Sequence, residues 1–332
     1  MTRRRAILSL VAAAAMVAAH GPAFGDDLLG TGRALIPPPV ERMVRKGLQY
    51  LAETQQPNGH WAGQRGNEPG VVGMAVLAFL AHGQDPEYGE YAEVIKRALD
   101  DLMENANPQN GYMGNSMYNH GFATLALAEA YGRVQDERLG PALENAVECI
   151  LASQKSNAQG GWRYSPQSTD ADTTVSGACL VALFAAKNAG VKVPDEAIES
   201  ALDFYRRCHS PDGGFGYTDS GSSSPPRTAI GVLVFALAHE RDNALFKRGL
   251  ARLKAMGTQS NYPYYQLYYE AQAAFQADAE YWERWNKRNT RTLQQTQARR
   301  GCWTGPHGET FSTAAALLSM ALNYRYLPIY ER

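Results

Sequence analysis

A glycine followed two residues later by an aromatic recurs along this chain about every fifty residues. Gln55-Gln56-Pro57-Asn58-Gly59-His60-Trp61 and Gln297-Ala298-Arg299-Arg300-Gly301-Cys302-Trp303 share the pattern Q-x-x-x-G-x-W. His209-Ser210-Pro211-Asp212-Gly213-Gly214-Phe215 repeats it with His for Gln and Phe for Trp. Gln159-Gly160-Gly161-Trp162 keeps the Gly-x-Trp with a shifted glutamine, and Gln109-Asn110-Gly111-Tyr112 is a weaker copy. The glycines at 59, 111, 160, 213 and 301 are separated by 52, 49, 53 and 88 residues. Half of the last gap, 44, places a hidden copy near Gly257, ahead of Tyr262-Pro263-Tyr264-Tyr265. Fixed-period self-similarity is the signature of a repeat architecture, and here it predicts six units.

Each unit has the same grammar. An amphipathic helix leads into the turn, as Val40, Met43, Val44, Leu48 and Leu51 show at i, i+3/i+4 spacing. A helix apolar on every side leaves it, as in Val71 to Ala81, and the pattern returns at 123–131, 177–186, 228–238 and 313–322. A helix apolar all round is buried all round. The chain therefore alternates half-buried outer helices with fully buried inner ones. Six such hairpins closed into a ring make an all-α fold, an α/α toroid, whose terminal repeats cover each other. A tetratricopeptide solenoid, with its ~34-residue period, does not match these spacings. The glycine turns the chain sharply, and the glutamine is placed to hydrogen-bond carbonyls left open at helix ends. The signature is thus structural first.

Composition narrows the class. With 32 basic against 33 acidic residues in 332, the chain lacks the basic surplus of a nucleic-acid binder. Four cysteines are too few for a disulfide scaffold, and Cys149, Cys179, Cys208 and Cys302 read as buried thiols. Arg3, Arg4 and Arg5, the apolar run Ala6 to Ala19 and Ala23-Phe24-Gly25 form an export signal, with cleavage near Gly25. The run is short for a membrane span of ~20 residues. Both a plain secretory and a twin-arginine route fit. The organisation expected is a signal over 1–25, a linker over 26–37 and one toroid over 38–332. The mature protein is expected to be exported, periplasmic or extracytoplasmic, and soluble. Loss of the three arginines leaves it at 29 basic against 33 acidic residues, net −4.

At these residues the chain resembles the squalene cyclase and prenyltransferase repeat superfamily. Gln55…Gly59-x-Trp61 and Gln297…Gly301-x-Trp303 look like its QW repeat, and the likeness runs over roughly residues 38 to 325. Within that superfamily the chain is similar to single-toroid, signal-bearing bacterial proteins. Thr169-Asp170-Ala171-Asp172-Thr173-Thr174 resembles the D-x-D-D-T motif of squalene-hopene cyclases. The resemblance implies that Asp172, matching the middle aspartate, is an acid that protonates an alkene, with Asp170 its neighbour. Thr173 stands where the third aspartate would be. Such chemistry needs a carboxylic acid kept protonated in a dry site. Squalene cyclases have about twice this length and two toroids, with the cavity between them, so this chain would use its own centre or a partner copy.

Other readings of the same residues stand beside this one. Asp and Thr before an apolar helix are ordinary N-caps, and Arg163 is placed to pair with Asp170. Aromatic residues near turns and inner-helix starts are candidates to line a cavity and stabilise cations: Tyr118, Tyr164, Tyr217, Tyr262, Tyr264, Tyr265, Tyr268 and Trp303. His120 at the start of the second inner helix is a candidate ligand contact, and Arg227 a candidate partner for Asp170, Asp172 or an anionic ligand. Cys302 and His307 lack the further ligands of a zinc site, so no metal and no cofactor is expected. Tyr324 to Tyr330 is expected to dock and seal one end of the ring by packing on the first repeat.

Three functions follow. The first is a terpenoid-cyclase-like toroid that binds a small apolar isoprenoid in its centre, with acid-initiated cyclisation at Asp172. The second is a non-catalytic module for envelope proteins or a membrane surface. The third is a carbohydrate-active toroid. An aromatic cavity reaching Asp172 favours the first, a side-chain-filled centre the second, and a polar cleft with two facing carboxylates the third. The sequence leaves the oligomeric state open.

Overall fold

The computed structural model describes residues 36–61, 68–257, 260–324 and 326–330. The expected signal and nearly all of the linker lie outside these residues. Twelve α-helices make up the described chain. Six form an outer set: α1 (Pro38–Thr54), α3 (Ala92–Glu104), α5 (Leu139–Lys155), α7 (Asp195–Arg207), α9 (Ala244–Ala255) and α11 (Ala279–Thr296). Six form an inner set: α2 (Pro69–Ala81), α4 (Met117–Ala130), α6 (Thr173–Asn188), α8 (Pro225–Leu237), α10 (Pro263–Ala277) and α12 (Glu309–Ala321). Each inner helix packs on the next, and α12 returns to α2, so the inner ring closes. The outer ring closes where α1 meets α11 and α12. This is the α/α toroid that the repeat predicts. None of the described helices is long and apolar enough to cross a membrane.

The turns show why the ring forms. Gly59, Gly111, Gly160, Gly213 and Gly301 all have positive φ, between 67° and 97°. A Cβ on Gly59 would sit 1.9 Å from the Arg97 carbonyl of α3, and one on Gly301 would sit 2.3 Å from the Lys46 carbonyl of α1. The turn of one hairpin therefore touches the backbone of the next outer helix, and only glycine fits. Glutamine locks the contact. Gln55 Nε2 donates to its own turn at Gly59 O and to Val94 O of α3, at 3.0 and 2.8 Å. Gln297 repeats this on Gly301 O and Met43 O of α1, across the closing seam. In the third hairpin the role falls to Gln154, which bonds Gly160 O and Ala197 O, and not to the shifted Gln159. Trp61, Trp162 and Trp303 are fully buried and donate Nε1–H to Leu51, Ile150 and Leu293 carbonyls near the ends of their outer helices.

The fifth hairpin departs from the expectation. It exists as α9 and α10, yet Gly257 has ordinary φ and nothing within 4 Å of a Cβ. At the other end of the ring, where inner helices finish, the terminal segment docks. Tyr324 and Tyr326 pack on His82 and Gly83 beyond α2. A single 3-10 turn, Pro328–Tyr330, then crosses to α6, with Ile329 and Tyr330 buried. Ile329 N–H donates to Glu129 of α4, and its carbonyl accepts from Gln276 of α10. The segment thus spans the ring rather than resting on the first repeat alone. All four cysteines are buried and unlinked.

Candidate functional site at the mouth of the inner ring

The inner helices all start at one end of the ring, and the turns that lead into them form its mouth. Asp172 is the N-cap of α6 and is wholly buried. Its Oδ1 accepts from the Thr174 and Val175 amides at 2.8 and 2.9 Å and from the Thr174 hydroxyl at 2.5 Å. Its Oδ2 has no hydrogen-bond partner. The nearest cation is Arg163, whose Nε lies 3.5 Å away, beyond hydrogen-bond range for this geometry. Burial raises the carboxyl's pKa against the lowering pull of those three donors and of Arg163. Capping accounts for Oδ1. It does not account for Oδ2, which is buried, makes no hydrogen bond and faces only the Arg163 guanidinium at ion-pair distance, so that burial favours a proton there and Arg163 opposes it.

Arg163 organises the rest. Its Nη1 pairs with the exposed Asp170 at 3.2 Å. Its guanidinium lies over the rings of Tyr164 and Tyr217, at 5.6 and 5.2 Å from their centroids. The two tyrosine hydroxyls share a hydrogen bond of 3.0 Å. Burial, then that hydrogen bond, raise the Tyr217 pKa. Arg227 covers Tyr217 at 5.7 Å, donates to Ser222 O, and leaves Nε without a partner. Burial lowers its pKa. The expected pairing of Arg227 with Asp170 or Asp172 is not made. The backbone fixes the group: Thr173 N–H and hydroxyl bond the carbonyls of Tyr217 and Gly216, joining the α6 and α8 mouths.

The structure therefore brings together Asp170, Asp172, Tyr164, Tyr217 and Arg227, with Arg163 at their centre. It separates the others. His120 is buried between α4 and α5, its Nδ1 accepting from Met113 N–H and its Nε2 3.0 Å from the Ala146 carbonyl. With both nitrogens engaged it is a wall residue. Burial holds its pKa down at about 4. Trp303 is likewise part of the wall. Tyr262 is exposed and stacks on His307, 5.0 Å between centroids, while Tyr264 lies half-buried against Gly305.

Tyr118 reaches inward. In a ring of six, α4 stands opposite α10, and their side chains meet across the axis: Tyr118 with Tyr265 at 6.0 Å, Phe122 with Tyr268 at 5.7 Å. Tyr269 completes the stack against both α10 rings. The aromatics expected to line a cavity instead pack on one another and fill the centre at this level, the outcome expected of a non-catalytic module rather than of a central isoprenoid cavity. Residue types in the sequence pointed to Arg163 only as an ion-pair partner; its face-on contact with two tyrosines was not legible from spacing.

Residues 40–266 match the family model of a domain of unknown function, DUF6288. The chain belongs to this family. A search of curated proteins gave no match. Among solved structures, the α-1,6-mannanase GH76A of Salegentibacter sp. HEL1_6 superposes with a TM-score of 0.64 at 10% identity, over 85% of this chain and 98% of that one. An inactive double-aspartate variant of the same enzyme, bound to α-1,6-mannotriose, gives 0.65 at 10% identity over 86% and 99%. The type II terpene cyclase MstE from Scytonema, as a variant holding geranylgeranyl dihydroxybenzoate, gives 0.61 at 14% identity over 87% and 98%. At these identities the likeness is one of fold. This chain shares the toroid fold with both enzymes.

Proposed function

We propose that this protein binds a small ligand at the mouth of its inner ring and that Asp172 acts on it as a proton donor, as in the terpene cyclases the chain resembles. The observation that carries this is the buried Oδ2 of Asp172, which makes no hydrogen bond and has only Arg163 at ion-pair distance. A proton there is favoured by burial, and Arg163 and Arg227 set the local charge. The aromatic packing of α4 against α10 keeps the ligand out of the centre, so it lies at the mouth beside the half-exposed Tyr164. The faces of Tyr164 and Tyr217 already hold the Arg163 and Arg227 guanidiniums, so the counter-charge to the cation formed on protonation is the Asp172 carboxylate left behind. The ligand class proposed is an isoprenoid with an alkene presented to Asp172. The export signal read from Arg3 to Gly25 of the sequence supports a reaction outside the cytoplasm.

A second reading rests on the exposed face of Tyr164 beside Asp170 and Arg163, an arrangement suited to stacking and hydrogen-bonding a sugar. One experiment separates the two. The purified protein is incubated with squalene, with a geranylgeranyl-bearing phenol and with α-1,6-mannotriose, and products and binding are followed by mass spectrometry and calorimetry. Conversion of an isoprenoid that is lost in Asp172→Asn is the expected result. Binding of mannotriose alone supports the sugar reading, and a protein inert to all three leaves no acid chemistry at this mouth.

A further inference from the structure

At the opposite end of the ring, four successive inner helices end with a residue in the left-handed region. Three are glycines: Gly83, Gly132 and Gly190, with φ of 75°, 80° and 87°. The fourth, after α8, is His239 at φ 61°, which is the one non-glycine with positive φ among the described residues. A β-carbon at Gly132 or Gly190 would meet nothing within 4 Å. At Gly83 it would meet the Tyr326 ring at 2.6 Å, so the position is open where the terminal segment does not cover it, and there the left-handed backbone is the cost of a side chain. The repeat offers glycine as the easy choice, and the chain departs from it at one copy.

That copy borders a cavity of about 380 Å³. Its described walls are Phe184, Ala236, Leu237, Pro328 and Ile329 on the apolar side and Asn188, His239, Arg241 and Gln276 on the polar side. They include a guanidinium and an imidazole but no carboxylate. Arg241 is held in place by Gln276, with Nε donating to its backbone carbonyl at 3.0 Å and Nη2 to its Oε1 at 2.9 Å. A guanidinium has five N–H donors, so three remain. The contact with Gln276 O offsets the partial negative charge at the end of α10 and fixes the guanidinium at the cavity wall. The volume falls within the range of small-molecule pockets, roughly 300–1,000 Å³.

We propose that this cavity is a second binding site, separate from the mouth, that takes a free medium-chain carboxylate. Its apolar tail lies against Phe184, Leu237 and Ile329, and its head is held by Arg241 and His239. The strain at His239 is retained because the imidazole completes the head-group site.

Calorimetry on the full protein with octanoate, octanol and inorganic phosphate tests this. Octanoate is expected to bind, with octanol and phosphate at least about tenfold weaker. Arg241→Gln is expected to weaken octanoate by about tenfold. His239→Gly restores what the other three copies have, so it is expected to fold, to raise Tm by roughly 2 °C, and yet to weaken octanoate several-fold. No octanoate binding, equal binding of octanol or phosphate, or unchanged affinity in His239→Gly overturns the proposal. Because the His239 variant keeps the fold, the test stands even where Arg241→Gln disturbs the end of α10.

Discussion

At position 172 one carboxylate meets two separate demands. Oδ1 closes the first turn of α6, while Oδ2 stays dry and without a donor. The demands are separable by mutation. Asp172→Asn keeps an oxygen for the cap and removes the titrating group, so the fold is expected to persist and any proton-dependent turnover to vanish. Asp172→Ala removes the cap as well and is expected to cost about 1–2 kcal/mol in a urea titration. The pH dependence adds a sign. The folded pKa is raised, so the native state holds more protons than the unfolded one, and stability falls as pH rises from the ordinary carboxylate range upward. Asp172→Asn should flatten that fall; an unchanged pH profile would show that Asp172 ionises in the folded state as readily as in the unfolded one. The motif around Asp170 and Asp172 was legible because caps and acids draw on the same few residue types. The role of His120 was not, since whether a residue in the first turn of a helix faces the axis or the wall depends on the helix's rotation, which no short motif records.

Among the elements, the hairpin turns are where sequence and structure agree most closely, and the reason is mechanical. Glycine, glutamine and tryptophan each do one job in a turn: approach the next outer helix, bond a carbonyl in its early turns rather than an open one at its end, and cover the joint. Where all three appear, as around Gly59 and Gly301, the hairpin could be found from the chain alone. The fifth hairpin has none of this chemistry and was located only by dividing an interval. The third has its glutamine at position 154, six residues before the glycine instead of four, and so escaped the pattern while performing the same bonds. Two alanine substitutions contrast a full turn with an empty one. Gly301→Ala forces a β-carbon against the Lys46 carbonyl from a left-handed backbone, and it is expected to destabilise by roughly 2–4 kcal/mol. Gly257→Ala meets open space at ordinary φ and is expected to be neutral or to stabilise by about 0.4–1 kcal/mol. Equal chemical-denaturation midpoints for the two variants would refute the idea that the glycine contact, rather than helix burial alone, locks neighbouring hairpins.

The whole ring has a seam where the last hairpin meets the first, and its closure joins residues far apart in sequence. The likeness to the terpene cyclase MstE spans 98% of that chain and is one of fold. The filled centre could not be foreseen, since it depends on α4 and α10 standing opposite each other, a relation that exists only after closure. The seam itself carries a titrating group. His82, just beyond α2, is buried, and its Nε2 lies 3.0 Å from the Leu317 carbonyl of α12. Burial lowers its pKa to about 4, as it does for His120 in the α4–α5 wall. A folded pKa below the unfolded value of about 6.5 means that the native state binds fewer protons between these limits. Each imidazole therefore contributes stability that is fully present above pH 6.5 and is lost as pH falls through about 4, on the order of 3 kcal/mol apiece. Asp172 acts in the opposite direction, so the cleanest measurement is made in Asp172→Asn. In that background the urea midpoint is expected to drop steadily between pH 7 and pH 4.5. Adding His82→Gln, which keeps a donor for Leu317 but cannot take up a proton, should remove a substantial share of the drop. If the slope is the same with and without His82, protonation at the seam does not set the acid limit of the ring, and the wall histidine or carboxylate pairs must do so instead.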